Sequence, residues 1–201
     1  IHPDAPERQE GVPTAIQGKR SGTTDLEKEA VAAFEESVNT QYECPNTFDG
    51  RGIVIPAGGE HLFLNAWVCI HMLRDTGCDL PVHIWHLPGE IEPWMRHACE
   101  VMDVELIDAG EIRKFNPVRK LGGWELKPYA VMCSEFEEVL LLDVDNMPVR
   151  DPEHLFDSDE YAETGAIFWP DRYVIASDRS IWGLCGVDPV EEPAFESGQI
   201  L

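Results

Sequence analysis

The sequence predicts an α/β fold built on a mostly parallel sheet with helices on both faces, and three observations predict it. From residue 52 onward, short β-branched runs alternate with stretches of helical spacing. Val139-Leu140-Leu141-Leu142 is apolar without alternation, as in a strand buried on both faces. The chain has 201 residues, 43% hydrophobic and 26% charged, enough for one sizeable core and at most one appended segment.

Residues 1–24 carry Pro3, Pro6, Pro13 and no apolar periodicity, so they read as an arm. Thr24 or Asp25 then caps a helix with Leu26, Ala30, Ala33 and Phe34 on one side. Turn residues from Asn39 to Gly50 place a boundary there, dividing the chain into an N-terminal arm and helix, 1–48, and a main domain, 49–201. Gly52-Ile53-Val54-Ile55-Pro56 is a strand signal, Ala57-Gly58-Gly59 a turn, and Leu62, Ala66, Cys69, Ile70 and Leu73 mark a helix up to Gly77. A second strand follows at Pro81 to Leu87, a helix at Glu92 to Cys99, and a third strand at Val104 to Asp108. Leu126 to Cys133 is helical and leads into the strand that ends in Asp143-Val144-Asp145-Asn146. Asp151 caps the short segment that starts at Pro152, and Ile167-Phe168-Trp169-Pro170-Asp171 supplies core and one wall of a crevice.

Composition excludes several classes. A net charge of -23, from 15 basic and 38 acidic residues, argues against a nucleic-acid or anionic-membrane surface. No run of about 18 apolar residues occurs, so no membrane segment is expected in this chain. Six dispersed cysteines without a C-x-x-C pair read as buried thiols rather than a zinc ribbon or a dense disulfide framework. The chain begins with Ile1 and stops at Ser197-Gly198-Gln199-Ile200-Leu201, which reads as the start of a strand, so both ends are expected to be cut and the main domain to be incomplete.

In open α/β sheets, ligands lie outside the carboxyl ends of the strands, where strand order switches. Gly58-Gly59 and Asp143-Val144-Asp145 are both at such ends. If the chain stays extended, Asp143 and Asp145 point to one side about 7 Å apart, a pair suited to a hard divalent cation, Mn²⁺ or Mg²⁺. The bland alternative is a solvated turn, in which Asp and Asn are favoured anyway. Arg113, Lys114, Arg119, Lys120 and Lys127 gather five of the 15 basic residues around a single acid, Glu125. A diphosphate leaving group gives such a cluster a purpose, and Lys127, opening the helix before the aspartate strand, is the preferred binder. His83 and His86, three apart in a strand, tend to opposite faces and share no metal. Asp171 is a candidate hydroxyl-binding carboxylate, and Glu196-Ser197-Gly198-Gln199 is a polar cluster before an apolar pair.

From about Gly50 to Leu201 the chain resembles the fungal-type α-mannosyltransferases that extend mannan and N-glycan chains, a GT-A fold family that uses nucleotide sugars. The resemblance rests on Gly52-Ile53-Val54 with Gly58-Gly59, on Trp124-Glu125-Leu126-Lys127-Pro128-Tyr129-Ala130, and on Phe136 to Asn146. It continues through Pro148, Arg150-Asp151-Pro152, Leu155-Phe156, Gly165, Phe168-Trp169-Pro170-Asp171 and Glu196-Ser197-Gly198-Gln199. It implies a GT-A-like, Rossmann-type sheet, a GDP-mannose donor, a glycan acceptor, a metal held by Asp143 and Asp145, and retention of the α configuration. The implied compartment is the Golgi lumen for a eukaryotic source, otherwise the cytoplasm. On this reading Gly58, Gly59, Lys127 and Asp143 bind the donor, and Glu196, then Asp171, are the catalytic carboxylates. A UDP-sugar donor, a haloacid-dehalogenase-type phosphatase with the same Asp-x-Asp spacing, and a non-catalytic sugar-binding module are the alternatives.

Overall fold

The computed structural model describes residues 48–201 and, before them, Asp25, Lys28, Glu29 and Ala32. Those four are helical and exposed, with Lys28 Nζ 3.2 Å from Asp25 Oδ1. The rest of the expected arm and helix lies outside the described residues. The elements are β1 (Arg51–Pro56), α1 (Gly59–Asp75), β2 (Val82–His86), α2 (Pro93–Met102), β3 (Glu105–Asp108), α3 (Ala109–Ile112), α4 (Leu126–Cys133) and β4 (Glu138–Leu142). A 3₁₀ turn (Pro152–Leu155), α5 (Asp159–Thr164), β5 (Phe168–Val174), α6 (Ser180–Cys185) and β6 (Pro193–Ile200) follow. The chain divides into two compact units; the larger, Cys44–Ile175 with Val190–Leu201, holds the whole sheet, and α6 falls in the smaller. Among the described residues no helix is long and apolar enough to cross a membrane.

The sheet has six strands in the order β3-β2-β1-β4-β6-β5. Neighbours from β3 to β4 are parallel, while β6 runs antiparallel to β4 and β5. β1 is central, with Ile53 beside Val82 on one side and Leu140 on the other. Its alternating residues divide between two cores. Ile53 and Ile55 pack with Phe63, Ile70 and Leu73 of α1 and Met95 and Ala98 of α2, whereas Val54 packs with Trp85, Leu141, Ala109 and the Leu126-Tyr129-Ala130 face of α4. Helices thus cover both faces, as the unbroken apolar strands predict. Each large aliphatic side chain so buried contributes about 1.5–3 kcal/mol.

Local chemistry sets the boundaries. α1 ends where Thr76 Oγ1 donates to the Leu73 carbonyl at 2.7 Å, and Arg74 Nη1 ties the Cys78 and Leu80 carbonyls, 2.9 Å each, turning the chain toward β2. α2 opens on Pro93, whose missing N–H costs nothing there, and closes on Asp103 in the left-handed region at φ 54°. Asp151 Oδ1 accepts from the Glu153 N–H at 2.9 Å, capping the 3₁₀ turn as its place before Pro152 predicts.

The aromatic run departs from expectation. β5 is the sheet edge and continues to Val174, and Phe168 is 47% exposed, so only Ile167, just before the strand, packs against the core, and none of the run lines the crevice. Pro170 within it, with no N–H to donate, is the residue that marks an edge strand. Three of the four described thiols follow expectation: Cys69, Cys78 and Cys99 are buried, while Cys133 is half-buried, and burial pushes Cys69 up to about 12 and Cys99 to about 11.

His83 is buried on β2, its ring 4.3 Å from that of Phe136 and its Nε2 3.4 Å from Glu105 and 3.8 Å from Glu135. Burial holds its pKa below 6.5, against the opposing pull of the two carboxylates. The unfolded chain therefore takes up this proton first. The stability that neutral His83 contributes is complete above 6.5 and is lost as pH falls toward the folded-state value. Urea unfolding midpoints measured from pH 7.5 down to pH 5 are expected to fall more steeply for the native protein than for His83→Gln.

Candidate active site

The chain leaves β1 for β2 and β3 on one side and returns to β4 on the other, so strand order switches between β1 and β4. A cleft of about 330 Å³ opens at their carboxyl ends. Pro56 and Gly58 line it from the β1 exit, Leu87 and Glu90 from the β2 exit, Trp124 and Lys127 from the start of α4, and Asp143, Val144 and Asp145 from the β4 exit.

β4 stops at Leu142, and the Asn146 N–H closes a turn onto the Asp143 carbonyl at 3.1 Å. The extended geometry assumed from sequence therefore does not persist through the aspartates. Val144 packs against the core below, and the acids on either side of it both line the cleft. Lys127 Nζ is 2.5 Å from Asp143 Oδ2, 3.4 Å from the Ser197 carbonyl and 5.0 Å from the centre of the Trp124 ring. A cation in the first turn of α4 is at the end where a helix favours anions. That local conflict is compensated by Asp143, the pattern expected where function overrides propensity. Asp145 is exposed, and its charge, after burial, is the second cause of the raised Cys69 pKa.

β6 returns alongside this turn. The Asp143 N–H and Asn146 Nδ2 both donate to the Gly198 carbonyl, at 2.7 and 2.6 Å, and the Gly198 N–H donates to Glu196 Oε1 at 3.0 Å. A side chain on Gly198 would meet Glu196 Oε1 at 3.3 Å and Asp143 Oδ2 at 3.6 Å, so the two carboxylates flank one backbone atom. Asp171, in mid-strand on β5, accepts from the Arg172 N–H at 2.5 Å and is not among the residues lining the cleft. Gly58 lines it in an extended conformation; Gly59, at φ 72°, begins α1 and donates its N–H to the Glu90 carbonyl at 3.0 Å.

Of the five clustered cations, Lys127 lines the cleft. Arg113 Nη2 donates to the Val118 carbonyl at 2.7 Å, Lys114 pairs with Glu111, and Lys120 Nζ is 2.8 Å from Glu125. Sequence patterning does not single out two cleft residues, Glu90 and the exposed Trp124 indole, or the Asn146 side chain that clamps the neighbouring turn to β6. Glu90 was within reach, because the carboxyl-end rule applies to β2 as it does to β1 and β4.

The donor set suits a hard divalent cation, two carboxylates with no thiolate or imidazole. Lys127 engages Asp143 Oδ2, while Asp145 accepts no hydrogen bond from the described residues. A separate group, His83, Glu105 and Glu135, also brings one ligand atom each within 4.8 Å of one another. It lies at the amino ends of the strands, away from the cleft, and two of its three members are exposed. The cleft, at the switch point, is therefore the candidate site.

The family described as "Mannosyltransferase putative" matches residues 50–185. Alpha-1,2-mannosyltransferase MNN2 of Candida albicans is 33% identical over 150 residues, 70% of this chain and 24% of that protein. MNN2 of Saccharomyces cerevisiae is 31% identical over 163 residues, 77% of this chain and 26% of that protein. Candida albicans MNN23 is 36% identical over 135 residues, 61% of this chain and 21% of its own length. The chain thus spans about a quarter of the length of these relatives. With a six-stranded, mostly parallel sheet of GT-A type, helices on both faces and a match across residues 50–185, the chain belongs to this mannosyltransferase family.

Proposed function

We propose that this chain carries the donor site of a metal-dependent glycosyltransferase that moves an α-mannosyl group from GDP-mannose to a glycan acceptor with retention. One observation carries the reading: Gly58, Lys127, Asp143 and Asp145, from three separate segments, line one cleft at the β1/β4 switch point. The relatives' names, alpha-1,2-mannosyltransferase, support the sugar.

Asp145 would be the direct ligand of the cation, and Asp143 would act through water or hold the donor ribose. When bound, Mn²⁺ or Mg²⁺ would supply positive charge against the departing diphosphate. Lys127 adds an ammonium group to the same end of the donor. The exposed Trp124 indole stands beside Lys127, its ring centre 5.0 Å from Nζ, at the same end of the cleft. Retention asks for a carboxylate beneath the sugar ring or for attack on the same face guided by the departing phosphate. Glu196 is the first candidate, since it flanks Gly198 together with Asp143, and Asp171 on the edge strand is the second.

A thermal-shift panel of GDP-mannose, UDP-glucose and UDP-GlcNAc, with and without Mn²⁺, tests the reading, because a ligand bound to the folded state raises its melting temperature. A Mn²⁺-dependent rise with GDP-mannose alone is expected, and Lys127→Met should lower transfer about 100-fold. A rise with a UDP-sugar alone would replace the donor. Binding with no transfer to any glycan would leave a non-catalytic module.

A further inference from the structure

Among the described residues, Glu90 is the one carboxylate lining the cleft that the proposed chemistry leaves without a task, and it is held more firmly than a surface acid needs to be. Its Oε2 accepts from the Leu87 N–H at 2.8 Å. Its own N–H donates to the Leu87 carbonyl at 3.3 Å, and its carbonyl accepts from Gly59 at 3.0 Å. The side chain lies against the Cα of Gly58, where any Cβ would collide with the carboxylate. Gly58 is thus required for Glu90 to reach its position, and the exits of β1 and β2 together fix one acid at the cleft wall. Oε1 accepts no bond from the described residues.

The charged groups of the lining are unevenly placed. Lys127, Asp143 and Asp145 come from the α4 and β4 side, among Trp124, Leu126 and Val144, while Glu90 comes from the β1 and β2 side among Pro56, Leu62 and Leu87. A nucleoside diphosphate has the same polarity: charge at one end, a flat and largely apolar base at the other. Once the phosphates occupy the ionic end, Glu90 is the hydrogen-bonding side chain left for the base. A carboxylate only accepts, through as many as four lone-pair directions. Among the common bases, guanine offers it two adjacent donors, N1–H and the N2 amino group. Uracil offers a single N3–H flanked by two carbonyl oxygens that a carboxylate repels.

We propose that Glu90 is the specificity-determining residue of the donor site, accepting from N1–H and the N2 amino group of guanine and so selecting guanosine over uridine diphosphate. This rests on the nucleotide-sugar reading above and deepens it. A site built around such bonds rejects a base that lacks the donors, because the half-buried Glu90 carboxylate is then covered without a partner.

Titration calorimetry with GDP, IDP and UDP in the presence of Mn²⁺ tests it on the native protein, Glu90→Gln and Glu90→Ala. Glu90→Gln keeps an acceptor for the Leu87 N–H, and Glu90→Ala removes the side chain altogether. The native protein is expected to bind GDP about 30-fold more tightly than UDP, with IDP, which lacks the amino group, between them. Both variants should weaken GDP about 30-fold, change UDP by less than about 3-fold and erase the GDP-over-IDP preference. Equal weakening of all three nucleotides would overturn the proposal by assigning Glu90 to the ribose, and so would unchanged GDP affinity in both variants. Failure of the native protein to bind any of the three would remove the nucleotide-sugar reading as well, an outcome distinct from loss of base selection alone.

Discussion

Asp145→Ala is expected to lower mannosyl transfer by about 1,000-fold, the loss of several kcal/mol of charge stabilisation at the departing diphosphate. The substitution is well suited to the question because Asp145 is exposed and accepts no hydrogen bond from the described residues. Its removal should leave the unliganded melting temperature within about 2 °C. The Mn²⁺-dependent rise with donor should disappear in the same experiment. Asp143→Ala makes the contrast. It also strips Lys127 of its partner at 2.5 Å, so its loss of function comes with a loss of stability. Full metal-dependent transfer by Asp145→Ala would show that the cation is held elsewhere.

The largest effect on stability is expected at Gly52. A Cβ there would fall within the ring of Phe136, closer to three ring atoms than side chains approach. Phe136 cannot yield cheaply: it is buried in the core beneath β1 and stacks on the His83 ring at 4.3 Å. Gly52→Ala should therefore cost about 3 kcal/mol, lowering the melting temperature by about 9 °C in a chain of this size. Circular dichroism melts report this directly. Phe136→Ala costs a similar amount by leaving a cavity. The double variant should lose less than the two single losses combined, since one vacancy accommodates the other's methyl group. Additive losses would mean that the ring and the glycine are not in contact.

Much of the fold could be read from hydrophobic patterning because a parallel sheet buries its strands on both faces. Runs such as Ile53-Val54-Ile55 and Val139 to Leu142 then admit few alternatives. The edge was harder to read. β5 carries the composition of a core strand, and only Pro170 signals that one side of it has no partner. The acids at the β4 exit were legible as a pair, whereas the turn that presents them depends on β6, some fifty residues later, through Asn146 and Gly198. For Glu90 the carboxyl-end rule reaches the β2 exit but not the side chain's fixed position, which follows from contacts with Gly58 and Leu87 that no periodicity reveals.

The close pairing of Lys127 with Asp143 has a thermodynamic corollary. In the ligand-free protein each ion already answers the other, so a cation arriving alone competes with an ammonium group, and a nucleotide arriving alone competes with a carboxylate. On the proposed reading, the two arriving together would let both side chains exchange partners at once, Lys127 to the phosphates and Asp143 to the hydrated cation or the ribose. Each guest would then strengthen the hold on the other by the same factor.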